Sequence, residues 1–479
     1  MKYHIYPPIG VARVGNSPTE FYIGPERIGH PGVEFQGGNE VTVSKYKDAN
    51  FRIKRRGARF HLFEDAEDGS PLRPAQLPAG AQVEWTVHTV NRKNAVTRGG
   101  GPPANPTRPT PSGGAAASSI DPGAKKVAGA QAAAVKLDGG KFRGRDVPLG
   151  EILTDAAQRL IVLGGRGFSS SVTNPPTINS FYNNPDWHDD TSDGPVTAKV
   201  VLPGQAAVNA TPAWVVVATP DFAPEIQGVV TLYDILFQVG LGFGLTAPAT
   251  PSFTNDIFPI IRRAANLRWV NSDPNWTDVS EDWAKLSQTN AANQQLRSDT
   301  RDVVVNTEGV LSRYKFTATQ RAMLDKWVSG NFTADWQGIP APSNVITPGG
   351  LTRAALDGTV GQGFFPGIEA GIILRDPTLY ANPFDFRLRD LNLKPGDLTA
   401  LMAVPWQADF WECARNWWPS QRPDDVRTSA GSASTEAWDK GITSGLSLVR
   451  DFGKLGFVTP VTNGGQTVYI QTERDPNFV

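Results

Sequence analysis

The residues best suited to chemistry lie together near the C-terminus. Residues 404–427 read VPWQADFWECARNWWPSQRPDDVR. This stretch holds the only cysteine of the chain, Cys413, and four of its 13 tryptophans: Trp406, Trp411, Trp417 and Trp418. Asp409, Cys413 and Trp417 recur every fourth residue, so on a helix they share one face. Pro419 pushes the residue before it out of the helical region. A helix is therefore predicted to end close to Trp418 and to leave that ring facing a cavity or loop.

Three readings fit this spacing, two of them chemical. A thiolate is a nucleophile when its pKa falls, and a Cys-dependent hydrolase then needs a histidine beside it. The five histidines are His4, His30, His61, His88 and His188, so that partner has to come from the N-terminal half. Alternatively, the sulfur is joined to an oxidised indole, giving a carbonyl electrophile built from the chain itself. A nearby carboxylate would accept protons during ring oxidation and act as general base afterwards. The third reading is an aromatic core cluster around an inert, buried thiol.

The rest of the chain must position this segment. Residues 1–95 read as short strands. In FRIKRRGARFHLF, apolar positions alternate on either side of Gly57, suggesting a bulge or bend. In VEWTVHT, Val83, Trp85, Val87 and Thr89 fall on one face. Residues 97–134 are rich in Gly, Pro, Ala and Ser and read as a flexible excursion. Strands resume at LIVLGGRG, VTAKVVLPG and AWVVVATP. The middle turns helical: a helix is expected to open at Pro224 and Glu225, with others in FTNDIFPIIRRAANLRWV and LTRAALDGTVG. TATQRAMLDKWVSGNF carries a Thr317/Gln320 capping box, an apolar face of Leu324, Trp327 and Val328, and Gly330 as a stop. The expected fold class is α+β, β-rich with many loops and a mainly helical middle section. The expected division is a β-rich part over 1–223 and a mixed part over 224–479 carrying the segment 404–427, the two allowed to form one continuous body.

Composition excludes several classes. Of 479 residues, 46 Lys and Arg balance 47 Asp and Glu, which argues against a broad nucleic-acid surface. No apolar run reaches the ~18 residues of a membrane span. One cysteine rules out an intrachain disulfide and cysteine-rich metal sites, and the histidines show no metal-binding spacing, so no metal is expected. The N-terminal MKYHIYPPIGVARVGNS is interrupted by two prolines and does not read as a secretory signal. A cytoplasmic or unconventionally exported chain is expected.

The segment VPWQADFWEC followed by WWPSQRPDDV resembles the cofactor segment of the LodA-like quinoproteins, the lysine ε-oxidase and glycine oxidase family. Further blocks are similar to that family in the same order: IYPPIGVARVGNS, FRIKRRGARFHLF, VEWTVHTVNRKNA, SDGPVTAKV, VVTLYDILFQ, DIFPIIRRAANLRWV and FFPGIEAGI. The resemblance implies a cysteine tryptophylquinone made from one Cys and one Trp of the chain. Cys413 matches the cross-linking cysteine and Asp409 the active-site aspartate. The quinone tryptophan lies in the WWP block; Trp418 is the choice, with Trp417 as the alternative that one helical turn favours. The resemblance further implies oxidative deamination of an amino acid or primary amine with O2, releasing H2O2 and ammonia. It implies completion of the cofactor by a separately encoded flavoprotein oxidase (LodB-like), and self-association into a homo-oligomer. His188 stands where an aromatic residue is expected near the substrate entrance, and Trp411 and Arg422 are candidates for the substrate channel. Arg415 or Arg422 would pair with Asp409 or grip a substrate carboxylate. The chain is shorter than the family's well-known members, with a very short Cys-to-Trp interval, which leaves the substrate open. An unmatured relative acting as a binding or structural protein is the competing reading.

Overall fold

The computed structural model describes residues 2–66, 71–96, 113–305, 316–361, 369–412 and 420–478. The architecture is α+β and β-rich, and its longer helices lie between Leu232–Leu241 and Pro348–Asp357, as the sequence predicts. Among the described residues, fifteen strands join one large sheet. Its central order runs Gly150–Thr154, Leu160–Gly164, Arg55–Glu64, Ile9–Arg13, Ala213–Ala218, Ser192–Val201, Gln82–Val87 and Lys125–Ala128. Ile9–Arg13 and Ala213–Ala218 pair in parallel, from Ile9 opposite Trp214 to Arg13 opposite Ala218.

Gln82–Val87 shows why these residues make sheet. Val83, Trp85 and Val87 are buried and their neighbours are not, the period-two pattern of a strand with one covered face. Trp85 satisfies its indole N–H by donating to the carbonyl of Gln158 at 2.8 Å. Arg55–Glu64 departs from the alternation expected of it, being buried at all ten positions. Its polar side chains are tolerated because they pair. Arg55 meets Glu151 at 2.6 Å, His61 meets Glu26 at 2.6 Å, and Arg59 is gripped by Glu26 and Glu40. Gly57, where a bulge or bend is expected, lies inside this strand. It sits in register opposite Ile23, and a Cβ there would come within 2.9 Å of Leu163.

The excursion expected over 97–134 is only partly one. Residues 97–112 lie outside the described residues. Beyond them, Lys125–Ala128 is a strand that pairs Val127 with Trp85, and Ile120 and Val127 are buried. Small and polar neighbours masked this short apolar signal. The helix expected at Pro224 starts later, at Leu232, because Thr231 and Asp234 form the capping box that closes its first turn. Ala318–Val328 follows its sequence signals: Thr317 and Gln320 form the capping box, Leu324 and Trp327 are buried, and Gly330 takes a positive φ of 80°.

The core has several centres. One fills the sheet around Trp85, Phe60 and Val215. Another joins the helical middle to the C-terminal hairpin of Phe457–Asn463 and Gln466–Thr472, and takes in Trp406 and Phe410. No helix among the described residues is long and apolar enough to cross a membrane.

Candidate active site

The C-terminal constellation begins on a short helix, Trp406–Glu412, called the site helix below. It buries Trp406, Gln407, Ala408, Asp409 and Phe410. The Trp406 ring packs edge-to-face on Phe410 at 5.0 Å and on Phe452 at 5.3 Å, which keeps water from this side of the helix. Asp409 is 3 % exposed, on the helix that leads directly into Cys413. A carboxylate shut off from bulk water is suited to taking a proton from a bound molecule. Trp411 is half-buried and packs on the same core. Cys413, Arg415, Trp417, Trp418 and Pro419 lie outside the described residues, and with them the helix end predicted near Trp418.

Arg422 is placed differently from its expected role. Its side chain is 1 % exposed, and its guanidinium is spent on the protein. Nε donates to the carbonyl of Phe410 at 2.8 Å, Nη1 to the carbonyl of Pro423 at 2.6 Å, and Nη2 to the carboxylate of Asp439 at 2.7 Å. The fork also lies 5.0 Å from the centre of the Trp438 ring. Three of its N–H donors are thereby committed to the protein. Arg422 instead ties the chain beyond residue 420 back to the site helix.

His188 is buried, with its ring 5.3 Å from that of Phe142. Burial pushes its pKa down to about 4, so the ring is neutral at pH 7. It pairs with Ser170 across a two-stranded ladder and precedes a run of acids, Asp189, Asp190 and Asp193.

That run holds what the spacing argument overlooked. Asp193 accepts from Thr399 N at 2.8 Å, Thr399 Oγ1 at 2.7 Å and the Trp214 indole at 2.9 Å, joining the sheet to the chain that leads into the site helix. Asp189 accepts from Lys93 Nζ at 2.7 Å and from Trp406 N at 3.1 Å. Ser169 donates to Gln407 Oε1 at 2.7 Å, and Gln407 donates to the carbonyl of Gly167 at 3.2 Å. Asn184 donates to the carbonyl of Val404 at 3.0 Å. Three acids within five residues were a visible signal, since so dense a run survives burial only when each carboxylate has donors.

Comparison with known proteins places the whole arrangement. The family model described as L-lysine epsilon oxidase N-terminal matches residues 6–217, and that of the L-lysine epsilon oxidase C-terminal domain matches residues 297–430. In sequence the chain is 28% identical to L-lysine 6-oxidase of Marinomonas mediterranea, over 86% of this chain and 71% of the relative. In fold it is similar to the crystal structure of the L-Lys epsilon-oxidase of that organism, with a TM-score of 0.81 at 24% identity, covering 99% of this chain and 95% of the other. The Schiff base intermediate of that enzyme with L-Lys superposes almost equally, with a TM-score of 0.80 at the same identity and coverage.

Proposed function

Because this chain belongs to the L-lysine epsilon-oxidase (LodA) family, we propose that it is a quinoprotein oxidase of a primary amine carried on an amino acid, with L-lysine the first substrate to test. In this reading the amine, dioxygen and water become an aldehyde or oxo acid, ammonia and hydrogen peroxide. The observation that carries the proposal is the buried Asp409 on the helix that runs straight into the chain's only cysteine, in a chain of this family.

The cofactor is proposed to be cysteine tryptophylquinone, formed from Cys413 and Trp418, with Trp417 as the alternative ring. The donor set fits it. One thiol and two indoles lie within six residues, directly after a helix that keeps a carboxylate away from water. Bound there, the group would supply an electron sink for the two electrons of the amine's C–H bond. The remaining work falls to the chain. Asp409 takes the proton from the carbon that bears the amine, and gives it up to water or to the peroxide formed from dioxygen before the next turnover. Trp406 and Phe410, packed on each other, bury the helix that carries it. Arg422 holds the carbonyl of Phe410, one residue beyond Asp409, so the carboxylate does not drift with the following chain. Completion of the cofactor is assigned to a flavoprotein oxidase produced with the chain.

The test is to produce the protein with and without such a flavoprotein, and to measure intact mass, visible absorbance and peroxide release on a panel of L-lysine, glycine and lysine-containing peptides. The expected outcome is a coloured chain with added ring oxygen and lost hydrogens, active on at least one amine. Full oxidase activity at the unmodified mass, or a matured chain inert to every amine, refutes the proposal. The second outcome would favour the binding or structural reading.

A further inference from the structure

We propose that the buried ion pair between Lys93 and Asp189 is the device that sets the position of the site helix, and through it the alignment of Asp409 and Cys413. The inference rests on the reading of Cys413 as the cross-linked residue. The two side chains are fully buried, with Nζ 2.7 Å from Oδ2. Lys93 lies in the NRKNA block that leaves the strand Gln82–Val87, and Asp189 lies three residues before the strand Ser192–Val201 begins. Both therefore belong to the sheet region, far in sequence from the segment they touch.

What they touch is the entrance of the site helix. Lys93 donates to the carbonyl of Ala403 at 2.9 Å, and Asp189 accepts from the amide of Trp406 at 3.1 Å. The two charges thus grip both ends of the turn that leads into the helix. The other oxygen of Asp189 is held in turn by Asn91 Nδ2 at 3.0 Å and Thr191 Oγ1 at 2.9 Å. The carboxylate has no freedom to follow a helix that shifts. Helices in proteins draw most of their stability from tertiary contacts rather than from their own propensity, so these contacts help to set where this one lies. Charge-assisted hydrogen bonds are short and directional where apolar packing is not. A buried ion pair is a poor source of net stability compared with apolar residues of equal volume. Its place at this turn is explained by orientation. Asp409 follows three residues after the gripped amide, and reacting groups tolerate displacements of only about 0.5 Å before catalysis suffers. Lys93 and Asp189 are therefore positioning residues.

The test uses the full chain, with and without maturation. The variants are Lys93→Met and the double variant Lys93→Met/Asp189→Asn, which leaves no orphaned charge if the single one fails to fold. Arg55→Met/Glu151→Gln, which removes a buried pair inside the sheet, is the control. In chain produced without the flavoprotein, hydrogen exchange of the amides of 406–412 and alkylation of Cys413 by iodoacetamide are measured. In chain produced with it, the cross-linked fraction is read from intact mass and the absorbance per chain. The Lys93 variants are expected to speed exchange at 406–412 by about tenfold, to change the alkylation rate, and to lower the cross-linked fraction and colour. The control should leave all of these as in wild type. Unchanged exchange and cross-linking in the folded double variant, or acceleration spread evenly over the chain, overturns the proposal. A wild-type chain that never cross-links refutes the quinoprotein reading instead, and exchange at 406–412 then decides the positioning by itself.

Discussion

The large sheet and the site helix are buried to similar depth, yet they are held in different ways. In the sheet, apolar residues from many strands interlock, and no single contact is indispensable. The site helix shares an apolar core too, but it is also tied by a few polar contacts from distant parts of the chain. Lys93 reaches Ala403 across 310 positions, Ser169 reaches Gln407 across 238, and Asp189 reaches Trp406 across 217. The contrast teaches that a fold can be written in repeated patterns, while the placement of one reactive segment is written in individual side chains. Changes in the sheet should then cost stability in proportion to volume. Changes around the helix should cost alignment or chemistry.

The largest expected effect tests the helix side. Asp409→Ala removes the proposed base, and kcat measured by peroxide release should fall by about 10²–10⁴-fold or more. Intact mass separates lost catalysis from lost maturation, and near-normal turnover with the cross-link present would remove Asp409 from the mechanism. Next is Arg422→Met. It frees the carbonyl of Phe410 and strands the partly exposed carboxylate of Asp439, at a cost on the order of 2–3 kcal/mol, read as a shift in the denaturant midpoint. Arg422→Lys should rescue little, because an ammonium cannot serve the three acceptors that the planar fork reaches. On the sheet side, Gly10→Ala would bring a Cβ to 2.4 Å from the ring of Phe60. Such overpacking costs about 1–3 kcal/mol. It should leave hydrogen exchange of the site helix at its wild-type rate relative to the rest of the chain. If Gly10→Ala loosened 406–412 selectively, the two regions would not be held independently.

The same contrast explains what could be read before the structure. Alternation at Val83, Trp85 and Val87 and the capping box at Thr317 are local signals, repeated or bonded within one turn, and the structure follows them. The strand Arg55–Glu64 was harder, because its polar residues are buried by partners such as Glu26 and Glu151 that no local window contains. The helix that carries Asp409 was legible from local spacing, and the structure places Asp409 on it and buried. Arg422 was a candidate for pairing with Asp409 or for a substrate carboxylate, and only the structure shows the acceptors it reaches, on Phe410, Pro423 and Asp439. Lys93 and Asp189 were illegible as a pair, since 96 positions separate them and neither carries a spacing motif.

In wild type the smallest net effect concerns the junction between the two regions, where His188 and Asp190 flank the Asp189 that grips the helix. Burial moves the two titrations in opposite directions. His188 falls to about 4, while Asp190 rises to about 7, through desolvation first and the neighbouring Asp189 second. The unfolded chain would protonate His188 below about 6.5 whereas the folded one does not, so this group makes stability rise with pH between about 4 and 6.5. Asp190 does the reverse: the folded chain keeps a proton that the unfolded one has lost, so stability falls as pH rises from about 4 to 7. Each slope is at most about 1.4 kcal/mol per pH unit, and over their shared range they nearly cancel. Differences from wild type expose them separately, because every other group drops out. Asp190→Asn should gain stability relative to wild type by about 1.4 kcal/mol per pH unit up to about 7. His188→Gln should lose it at a similar rate up to about 6.5. Denaturant midpoints at pH 4.5, 5.5 and 6.5 measure both. Flat differences would mean that water reaches these two groups, and a junction open to water could not hold a helix entrance by charge.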